Sequence, residues 1–163
     1  MIWAISIWFV TEEKRVLLKQ ELSKRWGKIH KPIEGWLKPS ESIEGGLKRI
    51  IKEQLGEEPM GRLHLQEIYC TSFFIKREPA KRRHLLCSVT SQQLSIDPLP
   101  NEFKFIGKKD LFQIKQIGNS TITENDMVLF KDPYTVLDKI LKSQDEGENN
   151  LPLFLFSRTT LFI

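Results

Sequence analysis

Apolar and polar positions fall in blocks along the chain, and the blocks define its elements. Residues 2–10 (IWAISIWFV) are apolar almost throughout and rich in β-branched and aromatic side chains. The polar patch Thr11-Glu12-Glu13-Lys14 separates them from a second apolar run, residues 15–20 (RVLLKQ). Short apolar runs bounded by turn residues read as buried strands, so the two predict a hairpin. Residues 63–75 (LHLQEIYCTSFFI) and 84–90 (HLLCSVT) read as strands by the same criterion. Between them lie Lys76, Arg77, Lys81, Arg82 and Arg83, interrupted by Pro79. A hairpin symmetric about Glu78-Pro79 sets Cys70 opposite Cys87, and two small, reduced, buried residues are expected there.

The period changes over residues 41–55. At ~100° per residue, Ile43, Leu47, Ile51 and Leu55 form an apolar arc, which predicts a helix. Arg49 and Glu53 share one edge with Gly46, and Ile50 joins the apolar side. Ser40 is the expected cap, with Glu41 at the positive end of the helix. Gly45 and Gly46 weaken a helix by roughly 1 kcal/mol each relative to Ala, and their small size suits close packing on a sheet. Thr123-Glu124-Asn125-Asp126 reads as a helix start leading into residues 127–130. Asp132-Pro133 reads as a second start, with Pro at the first helical position and Val136, Leu137, Ile140 and Leu141 on one apolar face. A polar linker (SQDEGENN) then precedes the apolar stretch 151–163, whose alternatives are an added strand, a partner surface or an unordered segment.

Composition narrows the classes. A chain of 163 residues suits one domain, and its 40% apolar content supplies a core. A net charge of +4 and a pI of 9.1 lean toward anionic partners without marking a nucleic-acid binder on their own. Cys70 and Cys87, with no CxxC, argue against a zinc site or a disulfide framework. Residues 1–10 are too short to span a bilayer and lack a basic leader and a cleavage site. A soluble, cytoplasmic or otherwise intracellular protein with no membrane contact is therefore expected.

The candidate chemistry sits in residues 32–56 (PIEGWLKPSESIEGGLKRIIKEQLG). Five residues separate Gly35 from Glu41, seven separate Glu41 from Arg49, and Glu53 and Gly56 follow. This spacing resembles the box of the Nudix hydrolases: Gly, five residues, Glu, seven residues, then Arg-Glu-aliphatic-any-Glu-Glu-any-Gly-aliphatic. Gly35, Glu41, Arg49, Ile51, Glu53 and Gly56 fall on box positions. Ile50 stands where the box has its first helical Glu, Gln54 replaces the second Glu of the later pair, and Glu57 replaces the closing aliphatic residue. The strand ending in VLL and a charged residue, and Trp26 after it, resemble what precedes such a box.

The resemblance implies an α/β/α sandwich with a central mixed sheet over residues 1–143, with residues 144–163 as linker and tail. It implies attack of water on a nucleoside-linked diphosphate, with Mg2+ or Mn2+ neutralising the phosphates and activating the water. Glu41, Arg49 and Glu53 are the implied catalytic residues. The implied metal ligands are the Gly35 carbonyl, Glu53, the Gln54 amide oxygen and Glu102, all hard oxygens of the kind Mg2+ takes. A glycine lets a carbonyl approach closely. With Ile50 and Gln54 in place, one carboxylate remains on an edge that would carry three, so the metal is expected to bind weakly unless a phosphate ligand accompanies it. Trp26 is either a packing residue or a base-stacking one. Lys76, Arg77, Arg82 and Arg83 are either a solvated hairpin tip or a phosphate-binding finger for RNA or a polyphosphate. Three functions follow: a hydrolase of weak or lost activity, a nucleotide- or RNA-binding protein without turnover, and an interaction subunit that meets a protein partner or a second copy through its tail.

Overall fold

The computed structural model describes residues 1–59, 61–90, 92–94, 100–117, 127–143 and 160–163. Its centre is β1 (Ile2–Thr11), apolar at nearly every position because both of its faces are covered. β1 runs antiparallel to β2 (Val16–Ser23) through Val10 and Val16, and parallel to β6 (Glu78–Val89) along its whole length. The sheet is therefore mixed. β2 pairs with β3 (Gly27–Lys31) and β7 (Phe103–Ile106), while β4 (Ile33–Trp36) pairs with β1. β5 (His64–Ile75) pairs with β6, and β10 (Thr160–Phe162) closes that side of the sheet against β5. Of the outcomes open for the apolar stretch, these last residues take the added strand. A small parallel pair, β8 (Ile114–Gln116) and β9 (Met127–Leu129), stands apart.

Side chains alternate across a strand, so β1 feeds two cores. Ile5, Ile7 and Phe9 meet Leu47, Ile50, Ile51 and Leu55 of α1 (Ile43–Leu55). Trp8 and Val10 meet Val136, Leu137, Ile140 and Leu141 of α2 (Lys131–Ser143). One helix on each face makes an α/β/α sandwich, as expected. Among the described residues, no helix is long and apolar enough to cross a membrane.

Several local expectations need correction. The cap of α1 is Ser42, whose hydroxyl accepts from the Gly45 N–H at 3.1 Å. Ser40 is too early, because Glu41 N–H bonds back to the Lys38 carbonyl and closes a turn first. The hairpin of β5 and β6 turns at Lys76-Arg77, both with positive φ, with Ile75 opposite Glu78. This register puts Cys70 opposite Arg83 and Cys87 opposite Leu65, so the cysteines do not face each other. Both are free thiols; Cys87 is buried but Cys70 is exposed. Pro79 is accommodated because β1 pairing begins only at Ala80, so its missing N–H costs no ladder bond there. Residues 127–129 are a strand rather than a helix; the start expected at 123–126, like the linker 144–150, lies outside the described residues. Pro133 is the third residue of α2, still within the first turn, where the N–H has no intrahelical partner.

Candidate functional site on the two faces of the sheet

α1 stacks its box residues against β4. Gly46 faces the Leu37 side chain so closely that a Cβ there would clash, and Glu41 lies beside it. Arg49, on the adjoining edge, organises the loop. Its Nε and Nη2 donate to the two Glu41 oxygens at 2.8 and 2.6 Å, and Nη2 also reaches the Trp36 carbonyl at 2.7 Å. Its Nη1 donates to Glu53 at 3.1 Å. Glu41 takes a further bond from the Lys38 N–H at 2.9 Å. The Arg49 hydrogen bonds, and then the Lys38 one, hold the Glu41 carboxyl down at about 2. A general base works best with a pKa near the operating pH, so Glu41 here is an anchor that ties the 36–41 loop to α1.

Ile50 is buried to 1% exposure on the neighbouring side of the helix. A Cβ added at Gly35 would lie 2.8 Å from Ile50 Cγ1, so the isoleucine is packed directly onto the Gly35 backbone. Gln54 does not point an empty oxygen outward. The Lys19 ammonium, reaching over from β2, donates to Gln54 Oε1 at 3.0 Å and to the Gln54 carbonyl at 3.4 Å, with the Phe103 ring centroid 5.6 Å away. Glu102 is exposed, and it meets β2 through its backbone carbonyl, which accepts from Gln20 N–H. Among the described residues, no three His, Cys, Asp or Glu side chains gather as a metal site. The residues present therefore do not fit the implied cation: hydrocarbon replaces one ligand, an ammonium holds a second, and a guanidinium shares Glu53.

The other face of the sheet is built differently. By register, Ser6 lies beside His84 and across from Glu34, and Ala4 lies between Arg82 and Trp36. These groups share the α2 side, beyond the part that the helix covers. Trp36 and Phe73 rings are 6.1 Å apart, Trp36 is 45% exposed, and the Arg82 guanidinium stands 5.4 Å from the Phe73 ring. Ser6 donates to Glu34 at 3.3 Å, and Lys31 approaches Glu34 at 3.6 Å.

His84 is the unusual group here. Trp8 Nε1, which can only donate, gives its hydrogen to His84 Nδ1 at 3.1 Å. Nδ1 is thus an acceptor, and the neutral ring must carry its hydrogen on Nε2. Burial, with help from Arg82, pushes the imidazolium pKa down to about 3. His84 Nε2 and Arg82 Nε are buried donors without a partner among the described residues. A buried unsatisfied donor costs about 1–3 kcal/mol, so these two atoms, both closed off from the surface, weaken the fold as they stand.

The expected basic finger is dispersed. Arg83 forms a two-pronged pair with Glu67 at 2.9 and 3.0 Å, on the α1 side of the sheet. Arg82 lies on the opposite side, and only Lys76 and Arg77 form the exposed turn. Trp26 stands on the β2–β3 turn under the Arg25 guanidinium, 4.9 Å from its ring. Lys19, Trp36, Phe73 and His84 escaped the sequence reading. Trp36 follows Gly35 directly and Lys19 follows VLL in β2, whereas Phe73 and His84 are brought to Trp36's side of the sheet only through strand register.

No family model matches the sequence, and no curated protein matches it either. Solved structures do. The E. coli ORF135 protein superposes with a TM-score of 0.59 at 13% identity, over 91% of this chain and 94% of that one. Shewanella oneidensis NrtR gives 0.60 at 15%, over 96% of this chain and 71% of that one. The NUDIX domain of NrtR, complexed with ADP ribose, gives 0.56 at 14%, over 83% of each. At such identities the likeness is one of architecture. The chain has the Nudix fold.

Proposed function

We propose that this chain binds a nucleoside-diphosphate-type ligand and hydrolyses it weakly or not at all. The observation that carries this reading is Ile50 packed onto Gly35, hydrocarbon where the box resemblance places a ligating carboxylate. Binding is supported by the opposite face, where the Trp36 and Phe73 rings lie beside the Arg82 guanidinium. Aromatic side chains stack on any nucleobase. ADP ribose in the NUDIX domain of NrtR, and a structural neighbour described as an ADP compounds hydrolase, make adenosine diphosphate derivatives the first probes. Among the described residues no side-chain set gives Mg2+ or Mn2+ a full seat, so the remaining oxygen ligands would be those of the phosphates. Of the basic residues behind the RNA reading, Arg83 is committed to Glu67.

The test is calorimetric titration of ADP-ribose, ADP and a dinucleoside polyphosphate, followed by product analysis with Mg2+ and Mn2+. Binding of at least one probe with a Kd below ~1 mM, and turnover well below ~1 per second, is expected. Turnover at the ~1 per second typical of competent enzymes would overturn the loss of catalysis; no binding of any probe would overturn the binding role.

A further inference from the structure

We infer that Lys19 has taken the cation's place in the box, so that its ammonium, rather than a divalent metal, supplies positive charge at the C-terminal turn of α1. This rests on the reading that the box no longer serves a metal, and it names the residue that keeps the metal out. Lys19 Nζ sits between two oxygens of one residue, the Gln54 amide oxygen at 3.0 Å and the Gln54 carbonyl at 3.4 Å. That carbonyl belongs to the last turn of α1, where the helix dipole is negative and a cation is stabilised. Gln54 is the residue on which the box resemblance places a carboxylate ligand. A Gln amide oxygen satisfies an ammonium; a Glu here would form an ion pair with the same lysine before it met a metal. Neighbouring charge is settled in the same way, since Arg49 holds both Glu41 and Glu53.

The consequence is specific. Restoring the two missing carboxylates does not restore a metal site while Lys19 remains. A divalent cation a few ångströms from an ammonium is repelled, and the lysine competes for the oxygens the metal needs.

Manganese binding, read by the loss of the free Mn2+ paramagnetic resonance signal, decides this without reference to turnover. Four proteins are compared: the wild type, Ile50→Glu with Gln54→Glu, the same pair with Lys19→Met, and the same pair with Lys19→Arg. The wild type and the double variant are expected to bind Mn2+ at least ~10-fold more weakly than the Met triple variant. The Arg triple variant keeps the charge and should stay with the double. Equal Mn2+ affinity of the double and Met triple variants would overturn the inference, as would tight Mn2+ binding by the wild type. If Ile50→Glu abolishes the cooperative melt, Gln54→Glu with and without Lys19→Met gives the same comparison on the native Ile50 packing. Failure of every nucleotide probe to bind would sink the proposed function while leaving the manganese result to decide this inference.

Discussion

The two faces of the sheet treat their polar groups in opposite ways. On the α1 side Glu41 and Glu53 are held by Arg49, Gln54 by Lys19, and Ile50 fills the space against Gly35. On the α2 side, buried donors of His84 and Arg82 lack partners among the described residues, and a large aromatic surface at Trp36 stays open. Satisfied groups rigidify a structure, whereas unsatisfied buried donors raise its free energy until something accepts from them. Under the proposed function, the difference casts the helix named by the motif as scaffold and places recognition across the sheet from it.

The largest expected effect comes from breaking the closed side. Ile50→Ala removes a side chain that contacts Gly35 and the α1 core, and such deletions cost about 2–5 kcal/mol. Urea unfolding should show this drop with an unchanged slope. A loss under ~1 kcal/mol would mean the Gly35–Ile50 contact collapses easily and was never a tight seal. On the open side, Trp36→Ala should barely change stability but weaken ADP-ribose binding by about 1–3 kcal/mol, the usual worth of a stacked base. Calorimetry on both variants separates the faces; if Ile50→Ala weakens the ligand more than Trp36→Ala at matched folded fraction, the ligand meets α1 and the comparison is wrong.

A smaller effect sharpens the scaffold role of Glu41. Its carboxyl is held at about 2 by Arg49, against an unfolded value of 4.5. A depressed carboxylate stabilises the fold above its unfolded pKa, and that contribution is lost as pH falls from 4.5 through about 2. Arg49→Met should return Glu41 to the ordinary carboxylate range, seen by carbon-detected NMR titration of the side chain, and flatten the acid limb of stability. A Glu41 that still titrates near 2 in the variant would assign its depression to the Lys38 N–H instead.

Much of this fold was legible because long apolar runs and a helical period are local signals. β1, β2 and α1 came directly from residues 2–10, 15–20 and 41–55, and even the side on which Ile50 falls followed from the helical wheel. What escaped is what register decides. Moving the β-hairpin turn from Glu78-Pro79 to Lys76-Arg77 reassigns each cross-strand partner; it separates Cys70 from Cys87 and leaves Arg82 and Arg83 on opposite faces. Pro79 looked like the turn, yet two successive residues with positive φ made a tighter one before it. Lys19 was hidden for a related reason: its partner is thirty-five positions away, and no local pattern marks a lysine that crosses to another element's last turn.

The last effect belongs to the open face and is a pH effect. His84 is neutral in the fold, with a pKa of about 3 against 6.5 when unfolded. Between those values the unfolded chain binds a proton that the native ring refuses, so stability falls as pH drops through that window. Above 6.5 both states are neutral and His84 contributes no slope. His30, lowered to about 4 by burial and by Lys104 and Lys28, adds to the same acid limb from 6.5 down to its own value. His84→Gln can keep an oxygen for the Trp8 indole while removing the titrating ring. Its melting temperature should therefore decline less than that of the wild type between pH 6.5 and 4, with His30 and, below 4.5, Glu41 contributing to what remains. A saturating ligand that opens a way to the buried Nε2–H and accepts from it stabilises the neutral ring and should push the His84 titration lower still, whereas a ligand confined to the α1 side should leave it unmoved. Proton-detected NMR of the imidazole reads both. A His84 ring that titrates near 6.5 in the native protein would show that the face is wet, and the contrast between a closed side and an open side would then dissolve.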